Sequence, residues 1–160
     1  MRKIAGSLIT LFLLLAVLST PLFADGTVPP VRPEGAFSVV LKAGQHTDAG
    51  WVYVWNDDVN LYVQFVALYG WSLGETHLYV GTELPKKAPG QFPYKGETSY
   101  IIPLSDLGAS WGSELVIAAH AVVQKGDQQE TAWGEGHAFG KSWAMYFHYT
   151  VCDAPADSGE

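Results

Sequence analysis

Apolar and polar positions alternate with a period of two along most of the chain. Trp51, Tyr53 and Trp55 alternate with Val52 and Val54, and Leu61, Val63 and Phe65 with Tyr62, Gln64 and Val66. Thr76, Leu78 and Val80 alternate with Glu75, His77 and Tyr79, and Met145, Phe147, Tyr149 and Val151 with Tyr146, His148 and Thr150. That period puts successive side chains on opposite faces of a strand. Segments 37–42, 98–103 and 114–124 bring the predicted strands to seven, separated by breaks rich in Gly, Pro, Asn and Asp as turns require. The run 115–123 is almost continuously apolar; a helix shares that pattern, but its length and neighbours suit a central strand buried on both faces. Residues 104–107 predict a single helical turn. With no convincing amphipathic helix, the expectation is an all-β protein: an antiparallel β-sandwich or jelly roll of about seven to eight strands.

The two ends do not share this pattern. Arg2 and Lys3 precede an apolar stretch over 8–18, interrupted only by Thr10, and Ala24 offers a small residue for cleavage before Asp25. This is the layout of a secretory signal peptide over 1–24. Residues 25–35, with Val28-Pro29-Pro30-Val31-Arg32-Pro33, read as a Pro-rich linker or N-terminal arm with a preference for extended polyproline conformations. The sandwich domain is expected over 36–152 and an acidic tail over 153–160. The chain is therefore expected to be secreted, in the extracellular space or at the cell surface, with no transmembrane segment in the mature part, where no apolar run approaches the roughly 20 residues a spanning helix needs.

Charge narrows the partners. The formal net charge of −7 becomes more negative once Arg2 and Lys3 are removed. No basic patch is available to release counterions from a phosphate backbone, which argues against nucleic acid as a partner. Cys152 is the sole cysteine, so no intrachain disulfide framework exists. Its place at the end of the last strand makes it a candidate for an intermolecular disulfide.

Four constellations carry candidate chemistry. Gly108-Ala109-Ser110-Trp111-Gly112 matches the spacing of a nucleophile elbow, but that motif needs a strand-to-helix turn in an α/β sheet, and here a strand follows. It is read as a loop. Asn56-Asp57-Asp58-Val59-Asn60 joins two strands; such residues suit a hairpin turn, and Asp57 and Asp58 are also candidate calcium ligands. His46, His77, His120, His137 and His148 are spread over separate segments without paired-ligand spacing. A hydrogen-bonded structural role is their default, and a copper or zinc site assembled in space is the alternative. Lastly, among the six tryptophans, Trp71, Trp111 and Trp133, like Tyr94, fall near glycines or strand ends, where loops cluster at the rims of a sandwich. Exposed rings there stack on sugars or anchor a protein partner; the plainer reading is that they cap the open ends of the sandwich.

Several phrases form a set: Asn56-Asp57 with Asn60-Leu61-Tyr62-Val63, Glu75-Thr76-His77-Leu78-Tyr79-Val80-Gly81, Ala88-Pro89-Gly90-Gln91-Phe92-Pro93-Tyr94, Ala118-Ala119-His120-Ala121, Glu130-Thr131-Ala132-Trp133-Gly134-Glu135-Gly136 and Trp143-Ala144-Met145-Tyr146-Phe147. Over about residues 40–150 the set resembles a family of poorly characterised secreted or cell-surface β-sandwich domains of microbes. The resemblance implies an extracellular β-sandwich and carries over no catalytic residue, because no activity is established for that family. The strand Asn60-Leu61-Tyr62-Val63 also resembles sugar-binding sandwich modules, an analogy of fold and not of site. The favoured function is non-catalytic recognition of a glycan or an extracellular protein. The first alternative is a self-assembling filament or matrix subunit, joined by strand addition through 37–42 and assisted by calcium. A secreted metal-dependent enzyme or copper protein is the second.

Overall fold

A computed structural model of the chain describes residues 31–86 and 88–153. The signal peptide expected over 1–24, the arm before residue 31 and the tail after 153 lie outside them. Ten antiparallel strands follow in order: β1 (Phe37–Ala43), β2 (Thr47–Asn56), β3 (Asn60–Ala67), β4 (Ser72–Gly81), β5 (Tyr94–Lys95), β6 (Ser99–Pro103), β7 (Glu114–Lys125), β8 (Gln128–Gly134), β9 (His137–Ala138) and β10 (Met145–Thr150). The only helical pieces among the described residues are 3-10 turns at Pro89–Gln91 and Leu104–Leu107, the second where the sequence predicts one. Among the described residues no helix is long and apolar enough to cross a membrane.

The strands hydrogen-bond in the order β5-β4-β7-β8-β1-β2-β3-β6. The end members β5 and β6 are joined by residues 96–98 alone, and those residues stitch the two open edges together. Gly96 N–H donates to the Thr76 carbonyl at 3.0 Å, and Phe65 N–H to the Thr98 carbonyl at 2.8 Å. The sheet is thus nearly closed, a sandwich that approaches a barrel. β7 is its spine: β4 lies along one edge, and β8 and β10 share the other edge end to end. Segment 115–123 is buried on both faces, as its apolar run requires. Leu115, Ile117, Ala119, Ala121 and Val123 enter the main core. Ala118 belongs instead to a second, outer cluster with Phe92 and Trp133.

Three strands, β5, β8 and β9, are not revealed by the hydrophobic pattern, and β8 is the longest of them. It opens Gln128-Gln129-Glu130, polar on both faces, and turns apolar only at Ala132 and Trp133. What forms it is the tight connection to β7, with Lys125 opposite Gln128 and only Gly126-Asp127 between them. Gly126 has φ +58°, the backbone that a glycine-first hairpin loop uses. Gly50 has a different task. The pairing of β1 with β2 slips at Leu41/Lys42, and a Cβ on Gly50 would collide with the Val66 carbonyl. No other residue fits there.

β1 is an interior strand. It pairs with β2 along its whole length and with β8 over Leu41–Ala43. Phe37, at its start, stacks on Phe147 and meets Tyr149 edge-on, filling the gap that β8 leaves beside β10.

Candidate functional site

The β2–β3 hairpin, the loop 108–113 and the end of β10 meet at one end of the molecule. Asp57 organises the hairpin. Its Oδ1 accepts from the N–H groups of Val59 and Asn60, both at 2.7 Å, and its Oδ2 from the Tyr62 hydroxyl at 2.6 Å. Desolvation pushes this carboxyl up, but the Tyr62 and backbone donors outweigh it and hold Asp57 below the usual carboxylate range. The neighbouring Asn56 ties the C-terminal strand to the hairpin. Its amide donates to the Cys152 carbonyl at 2.9 Å and accepts from Cys152 N–H at 2.9 Å, as a neighbouring strand's peptide would. Asn56 Oδ1 also accepts from the Tyr149 hydroxyl at 2.7 Å. Burial, then the nearby Cys152 sulfur, raises the Tyr149 hydroxyl far above the ordinary phenol value.

Loop 108–113 follows the second 3-10 turn and runs into β7, so it is not a nucleophile elbow. Gly108 and Gly112, both at positive φ, hold its ends. Gly108 N–H caps the 3-10 turn, and Gly112 N–H donates to the Val151 carbonyl at 2.9 Å. Trp111 projects from between them, 73% exposed. The result is a groove of about 410 Å³ walled by Asp57, Asp58, Ser105, Ser110, Trp111 and Cys152. Four residues singled out in the sequence, Asp57, Asp58, Trp111 and Cys152, therefore converge here. Cys152 has a free, exposed thiol 3.4 Å from the Thr150 carbonyl.

The other three aromatic candidates lie elsewhere. Trp71 is buried against the main core, with Lys125 Nζ 5.9 Å above its ring. Tyr94 packs half-buried against the same core and meets Tyr100 edge-on. Trp133 is buried on the outer face, where it lines a cavity of about 300 Å³ with Phe92 and Phe139.

That outer face holds the second notable arrangement. Lys95, His77, His120, Trp133, Lys42 and Asp48 stand opposite one another in turn across β5, β4, β7, β8, β1 and β2. Within this row the His77 and His120 rings approach Nδ1 to Nδ1 at 3.1 Å, and both residues are buried. Glu75 Oε1 lies 3.2 Å from His77 Nε2, and Trp133 meets the His120 ring edge-on at 4.8 Å. Burial first, then repulsion from His77, pushes His120 down to about 4, against the opposing pull of Glu75. Sequence spacing marks Glu75 and His77 as two apart on one strand face, but nothing local to either strand marks His120 as their partner. On the surface, His148 Nδ1 pairs with Glu114 at 3.1 Å and His137 lies edge-on to His148. Among the described residues no three His, Cys, Asp or Glu side chains are grouped so as to enclose one ion.

No family model, curated protein or solved structure matches the chain.

Proposed function

We propose that the protein is a secreted, non-catalytic recognition module whose end groove binds a neutral glycan. The observation that carries this reading is the exposure of Trp111 on the wall of a groove that also presents Asp57, Asp58, Ser105 and Ser110. A large ring left in water on a loop whose two ends are pinned supplies a flat apolar face for a sugar. Carboxylate and hydroxyl groups beside it accept and donate to the hydroxyls along the sugar's edge, as polar groups fix orientation in a binding cleft. The acidic lining, with Asp153 adding to Asp57 and Asp58, disfavours sialylated or sulfated sugars through like-charge repulsion.

Assembly by strand addition has less in its favour. The segment proposed to donate, 37–42, is β1, and it already pairs inside its own sheet.

The test is a screen of neutral and anionic glycans against the mature protein, followed by titration with tryptophan fluorescence as the readout. Binding of a neutral glycan that Trp111→Ala weakens about tenfold supports the reading. A ligand that binds equally well to Trp111→Ala, or a preference for anionic sugars, overturns it.

A further inference from the structure

We propose that His77 and His120 form a chelating site for one imidazole-preferring transition-metal ion, Cu²⁺ before Zn²⁺, on the outer face of the sheet.

The first argument is geometric. Two nitrogens bound to one ion at about 2.0–2.1 Å lie about 2.9 Å apart at a right angle and about 3.3 Å apart at a tetrahedral angle. The Nδ1 atoms of His77 and His120 are 3.1 Å apart, inside that span. The pair is also rigidly placed, because His77 and His120 are direct cross-strand partners on β4 and β7. Loss of side-chain freedom on binding is therefore small.

The second argument is the outer partner. Glu75 Oε1 is 3.2 Å from His77 Nε2. A carboxylate accepts and does not donate, so it holds the proton of a neutral His77 on Nε2 and leaves the Nδ1 lone pair facing His120. Carboxylate behind imidazole, with the other ring nitrogen free, is the arrangement that orients metal-binding histidines.

Without metal and with His77 neutral, the His120 Nδ1–H fills the space and donates to His77. On binding, the ion replaces that shared proton and His120 carries it on Nε2 instead, so both rings stay neutral and no proton is lost. With no third protein ligand grouped there among the described residues, water completes the coordination. Trp133, edge-on to His120 at 4.8 Å, gives the site an optical reporter, since bound Cu²⁺ quenches a ring so near.

The experiment uses the untagged chain, stripped with chelator and titrated with Cu²⁺ and Zn²⁺ by calorimetry and, for Cu²⁺, by electron paramagnetic resonance and tryptophan fluorescence. The surface imidazoles His137 and His148 are removed together as alanine to clear a competing site. The expected result in that background is one ion per chain, tighter for Cu²⁺, with coupling to two imidazole nitrogens and quenching that Trp133→Phe reduces. His120→Asn abolishes it. Glu75→Ala, at a side chain 63% exposed and so without consequence for folding, weakens it about ten- to a hundredfold. The proposal is overturned if the stoichiometric ion disappears with His137 and His148, if fewer than two nitrogens couple, or if Glu75→Ala leaves affinity within twofold.

Discussion

His77 and His120, 43 residues apart in sequence, share one hydrogen bond between their Nδ1 atoms, and Glu75 lies against the far nitrogen of His77. With His77 neutral, His120 donates from Nδ1; with His77 protonated, the His77 Nδ1–H donates to the lone pair on His120 Nδ1. His120 is neutral in both arrangements. A buried ring held in that state has a defined effect on stability. The folded chain protonates His120 at about 4, whereas the unfolded value is 6.5. Between those values the unfolded chain binds the extra proton, so stability rises with pH across that window and is lost on acidification. The groups facing His120 are His77 and, beyond it, Glu75. In metal-free protein, urea unfolding midpoints should fall between pH 6.5 and 4 by the equivalent of up to about 3 kcal/mol, and His120→Gln should flatten most of that slope. An unchanged slope in the variant would place the titrating group elsewhere.

Asn56 spans hairpin and C-terminal strand with a single amide. Asn56→Ala strands the Tyr149 hydroxyl, on a buried residue, and Cys152 N–H. The expected cost is about 1–3 kcal/mol, set mainly by the Tyr149 hydroxyl, since Cys152 lies at the surface. Asn56→Asp keeps the acceptor but loses the donor to the Cys152 and Asp57 carbonyls, and is expected to cost less. Thermal melts of the two variants check the order; equal losses would show that the acceptor side contributes nothing.

Asp57 is engaged by protein donors at both of its oxygens. Asp57→Ala should therefore destabilise the protein by about 1–3 kcal/mol, and by the same amount in calcium and in chelator. A cost that appears only in calcium would identify the hairpin as a cation site instead. Because the carboxyl is held below its usual range, its contribution is present above the unfolded carboxylate value and is lost as pH falls through the lower folded one.

Trp111 carries the opposite signature. At 73% exposure its replacement by alanine should change stability by no more than about 0.5 kcal/mol, while glycan affinity falls about tenfold, the equivalent of 1.4 kcal/mol. Trp111→Tyr should recover part of that loss. Differential scanning fluorimetry beside a binding titration separates the two effects; a large drop in melting temperature would mean the ring supports the fold.

Much of the fold is legible in the pattern because each strand's alternation is a local property. Val52 and Val54 face the core while Trp51 and Tyr53 do not, for the same reason that they alternate in sequence. The long apolar run at 115–123 announces a strand covered on both sides, and Leu104–Leu107 announces its turn. β8 escapes because its polar first half is stabilised by its partner's backbone, which leaves only Ala132 and Trp133 as a hydrophobic signature. The candidate groove is half legible. Asp57, Asp58, Trp111 and Cys152 stand out by residue type, but only the return of β10 beside the β2–β3 hairpin brings them to one wall.

Burial separates the remaining aromatics. Trp71, Trp111 and Trp133 look alike in sequence, each near a glycine, yet two are buried and one is open. What decides this is which loop packs over which ring, a property of chain segments far apart. The same holds for the histidines: residue type and spacing give Glu75 and His77 a common face, and the pairing of β4 with β7 supplies His120. The sequence by itself determined the fold class, because hydrogen-bonded strands need only a repeating local pattern. Tertiary structure alone decided the sites, because each is assembled from side chains whose proximity is set by sheet order and register.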